Sequence, residues 1–190
     1  MDLFEFVVSF YVVIAGLGVT LLVKSVGQMI EARDRIQLYW VHSCWLVFVF
    51  FAHVNSWFTL WAYRDQPSWT IGQLLMLVSV PILLYLASHV SVPEIPENST
   101  DRYDMREYFY RRHAILLGLV TLSIVLNLGC EYLLLENRVL TFGNGLRLGS
   151  VGLLLLGVFV SKPGVHVAIV FLLGALLIYA LTFLDDPIAN

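Results

Sequence analysis

Six long apolar runs, broken only by short polar stretches, constrain this 190-residue chain more than any other feature. A helix that crosses a bilayer needs about 20 mostly apolar residues. Runs at 3–23, 37–61, 69–90, 113–135, 146–161 and 165–184 meet or approach that length. They are continuous rather than alternating, which excludes a membrane β-barrel. A soluble domain is roughly 25% charged, whereas this chain is 13% charged and 59% hydrophobic, with mean hydropathy +0.81. A soluble globule of this size cannot hide so much apolar surface. The composition excludes an ordinary soluble enzyme and a disordered chain. A net charge of −3 excludes a basic nucleic-acid binder. The expected fold is all-α: one polytopic helical bundle over 1–190 with six transmembrane helices and the lipid bilayer as its first partner.

Sidedness follows from the basic residues, which favour cytoplasmic loops. The loops after the first, third and fifth runs share one side. They hold Lys24, Arg33, Arg35, Arg102, Arg106, Arg111, Arg112 and Lys162, against Arg64, Arg138 and Arg147 on the other side. Both termini are therefore expected outside, in a bacterial cytoplasmic membrane. The first run carries Asp2 and Glu5 and no basic leader, so it reads as a retained helix rather than a cleaved signal. Aromatics near the run ends suit an interfacial role: Tyr39, Trp40, Tyr108, Phe109 and Tyr110 inside, Trp61, Tyr63 and Trp69 outside.

The fifth run is the shortest, and sixteen residues rise only ~24 Å. It is rich in glycine, and Gly145 and Gly149 form a small-xxx-small pair that suits close helix packing. It reads either as a short helix inside the bundle or as a broken, re-entrant segment. Pro93 and Pro96 are expected to end the third helix. Ser99, Thr100 or Asp101 can cap a new helix, giving a cytoplasmic helical extension over 101–112 that leads into the fourth run. Asn98-Ser99-Thr100 fits a glycosylation sequon, but its expected cytoplasmic side argues against use.

Polar groups inside lipid are costly, so each asks for a partner or a task. His42 and His53 are eleven residues apart, which places them on one helix face roughly 16 Å apart. Cys44 and Asn55 share that spacing on the opposite face, so the second helix is expected to be central. Ten aromatics lie between Tyr39 and Tyr63. They serve either as packing or as the wall of a pocket or pore, with Trp57 and His42 as lining candidates. Pro81 is expected to bend the third helix, below which Tyr85, Ser88 and His89 form one patch; Tyr85 and His89 are further lining candidates. On the fourth helix Ser123, Asn127 and Glu131 follow at steps of four. Glu131 is the one acid well inside a run, and an intramembrane carboxylate suggests a cation or proton site. With His53 at a similar depth, the candidate ion site is Glu131, Asn127, His53 and Ser123, a pairing that would make transport pH-sensitive.

His42, His89, His113 and His166 fall near the inner face and could supply axial ligands to a single haem b. His53 has no histidine partner at its own depth, which excludes a second haem. Cys44 and Cys130 differ too much in depth for a disulfide, so two free thiols are expected. No catalytic motif or metal-ligand cluster is present in the sequence, and an enzyme is not the favoured reading.

Met1-Asp2-Leu3-Phe4-Glu5-Phe6, Gly16-Leu17-Gly18-Val19-Thr20 and Leu38-Tyr39-Trp40-Val41-His42 resemble segments of a group of bacterial six-helix integral membrane proteins. That resemblance implies a six-helix fold over most of the chain and no particular activity. Thr20-Leu21-Leu22-Val23 is also similar to a run in the first helix of the six-helix potassium channels of bacteria and lysosomes. Their Phe-Ser-Asp motif is here Phe10-Tyr11-Val12, without the acid or the serine.

The leading expectation is a channel or transporter subunit for a small ion, without cofactor or metal. Six helices leave little room for a pore within one chain, so a homo-oligomer is expected. The alternatives are a non-catalytic scaffold or accessory subunit that binds a cytoplasmic partner through 101–112, and a single-haem redox protein.

Overall fold

The computed structural model describes residues 3–66, 68–95, 101–134 and 142–183. Over these the chain is helical: α1 (Leu3–Glu31), α2 (Trp40–Thr59), α3 (Ile71–Ser91), α4 (Met105–Leu134), α5 (Phe142–Phe159) and α6 (Pro163–Phe183). Five of them are long and apolar enough to cross a membrane, and α5 is the shorter apolar helix among them. The chain is an all-helical protein with the character of an integral membrane protein.

Several boundaries depart from the sequence reading for local reasons. α1 runs eight residues beyond Val23, because Lys24, Ser25 and Gln28 are acceptable in a helix that has left the apolar layer. α3 begins at a capping box, in which Thr70 Oγ1 accepts from the Gln73 amide and Gln73 Oε1 accepts from the Thr70 amide. It ends at Ser91, two residues before Pro93. Pro81 sits inside α3 and is buried. α4 begins at Met105, later than the 101 start expected; of the expected caps, Ser99 and Thr100 lie outside the described residues. Asp104 caps the helix: its carboxylate accepts from the amides of Arg106 at 2.7 Å and Glu107 at 3.2 Å. Tyr103 and Asp104, inside the expected helical extension, are extended instead of helical. Tyr103–Asp104 (β2) pairs in parallel with Ile36–Gln37 (β1), so the two basic connections are tied together by backbone hydrogen bonds. The sequon at 98–100 lies outside the described residues, as do Pro96, Glu136 and Arg138.

The helices bury two separate apolar cores. One gathers Leu22, Trp45, Val49, Met105, Phe109, Leu117, Leu154 and Ile169 from α1, α2, α4, α5 and α6 in the half of the bundle nearest the basic connections. The other gathers Val7, Tyr11, Leu60, Tyr63, Leu77 and Cys130 at the opposite end, without α5 or α6. Phe109 and Tyr63, expected at the interfaces, are each 1% exposed and belong to these cores. Trp40 and Trp61 remain about half exposed, as interfacial residues would be.

The central helix is α4, not α2. The most apolar stretch of α4 is 44% buried, against 33% for α2. Asn55, on the second polar face expected of α2, is exposed rather than packed against a neighbouring helix. α5 is continuous from Phe142 to Phe159 and shows no break. A Cβ at Gly145, Gly149 or Gly152 would meet nothing within 4 Å. The glycine face of α5 therefore meets no other side chain or backbone among the described residues.

Candidate functional site

Two polar clusters lie within the bundle, one in each half. In the half away from the basic connections, the last turns of α2 face α4. His53 and Ser56 are buried, and with Thr59 they rise along the helix at steps of three. Ser56 Oγ donates to the His53 carbonyl at 2.8 Å, and Thr59 Oγ1 to the Ser56 carbonyl at 3.0 Å. Asn127 Nδ2 reaches across from α4 to donate to Thr59 Oγ1 at 3.4 Å. From α1, the buried Tyr11 hydroxyl donates to the Ser56 carbonyl at 3.1 Å. Each bond satisfies a group that would otherwise be costly in lipid.

One turn beyond Asn127, Glu131 is ion-paired with Arg147 of α5. The carboxylate side chain is 13% exposed and the guanidinium 33%. Tyr63 is 1% exposed and belongs to the same core as Cys130, the neighbour of Glu131. Ser123, one turn before Asn127, turns back to its own helix and donates to the Val120 carbonyl at 2.8 Å.

His53 sits at the other end of this ladder. Its Nδ1 lies 2.9 Å from the Val49 carbonyl. A carbonyl only accepts, so Nδ1 carries the proton and Nε2 offers a lone pair. Nε2 is buried with no hydrogen-bond partner among the described residues. It points at the backbone of Gly18 on α1, where any Cβ would collide with the ring.

The structure thus joins Asn127 to the His53 turn through Thr59 and Ser56. It gives Glu131 a different partner, Arg147, in place of His53. Ser56, Thr59, Tyr11, Tyr63 and Arg147 are additions to the sequence reading. The spacing of His53, Ser56, Leu60 and Tyr63, at three, seven and ten residues, was the available signal. Arg147 could be found only by folding α5 back on α4. Trp57 is 56% exposed and Tyr85 36% exposed, both facing outward.

The second cluster lies at the basic end. The last carbonyls of a helix lack partners within it. At the end of α3, Ser91 O accepts from His42 Nε2 at 2.6 Å and Val90 O from the Tyr108 hydroxyl at 3.0 Å. The Tyr39 and Tyr110 hydroxyls meet at 3.1 Å. His113 Nδ1 donates to the Tyr110 carbonyl at 2.8 Å, which leaves Nε2 to accept from Ser161 Oγ at 3.3 Å. His166 is fully buried against Phe109, Tyr110 and His113, with ring centroids 5.2, 5.4 and 5.1 Å away. Both of its ring nitrogens are buried with no hydrogen-bond partner among the described residues.

The four histidines at this end are divided among separate contacts. The His113 and His166 rings meet edge to face, 87° apart. His42 is committed to Ser91, and His89 is exposed in a separate groove. No group of three or more metal-ligating side chains forms among the described residues. Cys44 and Cys130 are both unpaired thiols, as their depths required.

The class defined by these features is an all-helical integral membrane protein with polar clusters at two depths. No family model, curated protein or solved structure matches the chain.

Proposed function

We propose that the protein is a membrane subunit that moves a small cation or proton, with its site in the half of the bundle away from the basic connections. One observation carries the reading. A line of polar groups runs from His53 through Ser56 and Thr59 to Asn127, one turn below the Glu131–Arg147 pair. An ion pair and a histidine with a free lone pair are expensive within lipid unless they serve a purpose. Glu131 is the residue whose charge a cation or proton would meet, and Arg147 holds that charge in check until it is neutralised. His53 is the proton acceptor at the far end.

In this reading all six helices span a bacterial cytoplasmic membrane, with both termini outside and the basic connections in the cytoplasm. The chain works as a homo-oligomer. The exposed face of Gly145, Gly149 and Gly152 on α5 supports this, because none of the described residues occupies it.

The test is flux in proteoliposomes with a K⁺, Na⁺, H⁺ or Cl⁻ gradient. The wild type is expected to carry a cation or H⁺. Glu131→Gln, which keeps shape and removes charge, is expected to lose most of the flux or its pH dependence. No flux above empty liposomes for any of the four ions would sink the transport reading and leave a scaffold that binds its partner through 101–112. Wild-type flux with an unaltered Glu131→Gln profile would place the path elsewhere.

A further inference from the structure

At the basic end, the C-terminus of α3 and the first turns of α4 enclose an open groove of about 290 Å³. Its lining includes His89, Glu94, Tyr108 and Arg112, with Val92 and Pro93. The position of these groups is set by the fold: the Tyr108 hydroxyl is pinned to the Val90 carbonyl, and His42 holds the Ser91 carbonyl behind it. His89, Glu94 and Arg112 are exposed, and none of them forms an ion pair or side-chain hydrogen bond with another described residue. Glu94 and Arg112 therefore line one groove without neutralising each other. A ligand that carries both signs of charge would complete them.

The apolar surface beside the groove narrows the ligand further. From His89 towards the bundle centre, α3 exposes Leu86 and Ile82, at 41% and 43%. From Arg112 in the same direction, α4 exposes Ile115 and Leu122, at 52% and 47%. Each set lies on one helix face, at steps of three, four or seven. A polar groove at the end of the apolar layer, continued by two apolar stripes, has the shape of an amphiphile. Arginine binds phosphate oxygens by paired N–H donors, and a protonated or neutral histidine adds a further donor. A carboxylate opposite them suits a primary ammonium.

We propose that this groove binds an aminophosphate headgroup, that of a phosphatidylethanolamine whose acyl chains lie along Ile82, Leu86, Ile115 and Leu122. Arg112 and His89 hold the phosphate. Glu94 holds the ammonium and distinguishes it from the bulkier, non-donating choline and from the uncharged glycerol headgroup.

The experiment is native mass spectrometry of the full-length protein in detergent, titrated with phosphatidylethanolamine, phosphatidylcholine and phosphatidylglycerol of identical chains, and with free phosphoethanolamine. Phosphatidylethanolamine should bind about tenfold more tightly than phosphatidylcholine, the scale of one charge-assisted hydrogen-bonded contact. Arg112→Ala should weaken all three lipids. Glu94→Gln should retain binding and erase the preference for ethanolamine. Both positions are exposed, and unchanged monodispersity and melting temperature will show that each variant is folded. Equal wild-type affinity for the three lipids would overturn the proposal, as would an ethanolamine preference that survives Glu94→Gln. If free phosphoethanolamine binds as tightly as the lipid, the apolar stripes contribute nothing and the site belongs to a soluble aminophosphate instead. The flux assay above leaves these outcomes untouched, because neither residue lies in the outer cluster.

Discussion

Gly18 shows how one side chain governs a whole polar cluster. Its Cα hydrogen is all that separates α1 from the His53 ring. That close approach leaves His53 Nε2 buried with no hydrogen-bond partner among the described residues, while Nδ1 is anchored to Val49. Gly18→Ala forces the ring out of a site in which it is 1% exposed. Overpacking of this kind costs ~1–3 kcal/mol. Thermal unfolding in detergent should show that loss in the single variant. In a His53→Ala background the same glycine change should cost far less, because the obstructing ring is gone, and a coupling of about 1 kcal/mol or more is expected. Strictly additive losses would mean that α1 does not approach His53 there. At Glu131 the partner matters more than the residue. Arg147→Gln leaves a carboxylate at 13% exposure without its counter-charge. Such a group costs roughly 1–3 kcal/mol, so Arg147→Gln should melt lower than Glu131→Gln/Arg147→Gln. The reverse order of melting temperatures would exclude the pair as a stabilising contact.

Among the elements, α5 and the entry to α4 depend on their surroundings in opposite ways. Gly149 on α5 faces open space among the described residues, so Gly149→Leu should leave monomer stability unchanged. Helices in lipid associate through small residues that let their backbones approach. If α5 forms the contact between copies, Gly149→Leu should shift the size measured by light scattering towards the monomer. An unchanged size with unchanged melting would show that this face meets lipid alone. The start of α4 depends instead on Asp104, whose carboxylate caps two amides while its backbone belongs to the β1–β2 pair. Asp104→Ala removes the cap and costs about 1 kcal/mol. Asp104→Asn should recover most of it, since the amide oxygen also accepts. Hydrogen exchange over the first turn of α4 reads both effects.

For the molecule as a whole, the unequal distribution of basic residues and the two cores make one orientation testable. In a Cys44→Ala/Cys130→Ala background, a cysteine at the exposed Asp34, between α1 and α2, should be shielded from impermeant reagents in intact cells. One at Gln66, between α2 and α3, should react. Labelling of Asp34→Cys alone would invert the orientation, moving the Glu131–Arg147 pair to the cytoplasmic half. The two cores also predict unequal local stability. α6 has 17% of its apolar stretch buried and joins only the core nearest the basic connections. Its far end should therefore exchange amide hydrogens before α3 and α4 do.

Much of this protein was legible without coordinates, because bilayer thickness imposes a length on every spanning helix and lipid forbids unpaired backbone. The six apolar helices, the stop before Pro93, the free thiols and the polar edge of α4 through Asn127 and Glu131 all follow from such local rules. Periodicity ranks faces on one helix but does not say which faces meet. For that reason α2 looked central when α4 is, and Phe109 and Tyr63 looked interfacial when both are core. The partner of Glu131 came from α5, sixteen residues away, and the contact of His53 came from a glycine on α1. The pairing of Ile36–Gln37 with Tyr103–Asp104 spans more than sixty residues. These choices rest on side-chain fit and on the satisfaction of buried polar groups across helices, quantities that exist only once the chain has packed against itself.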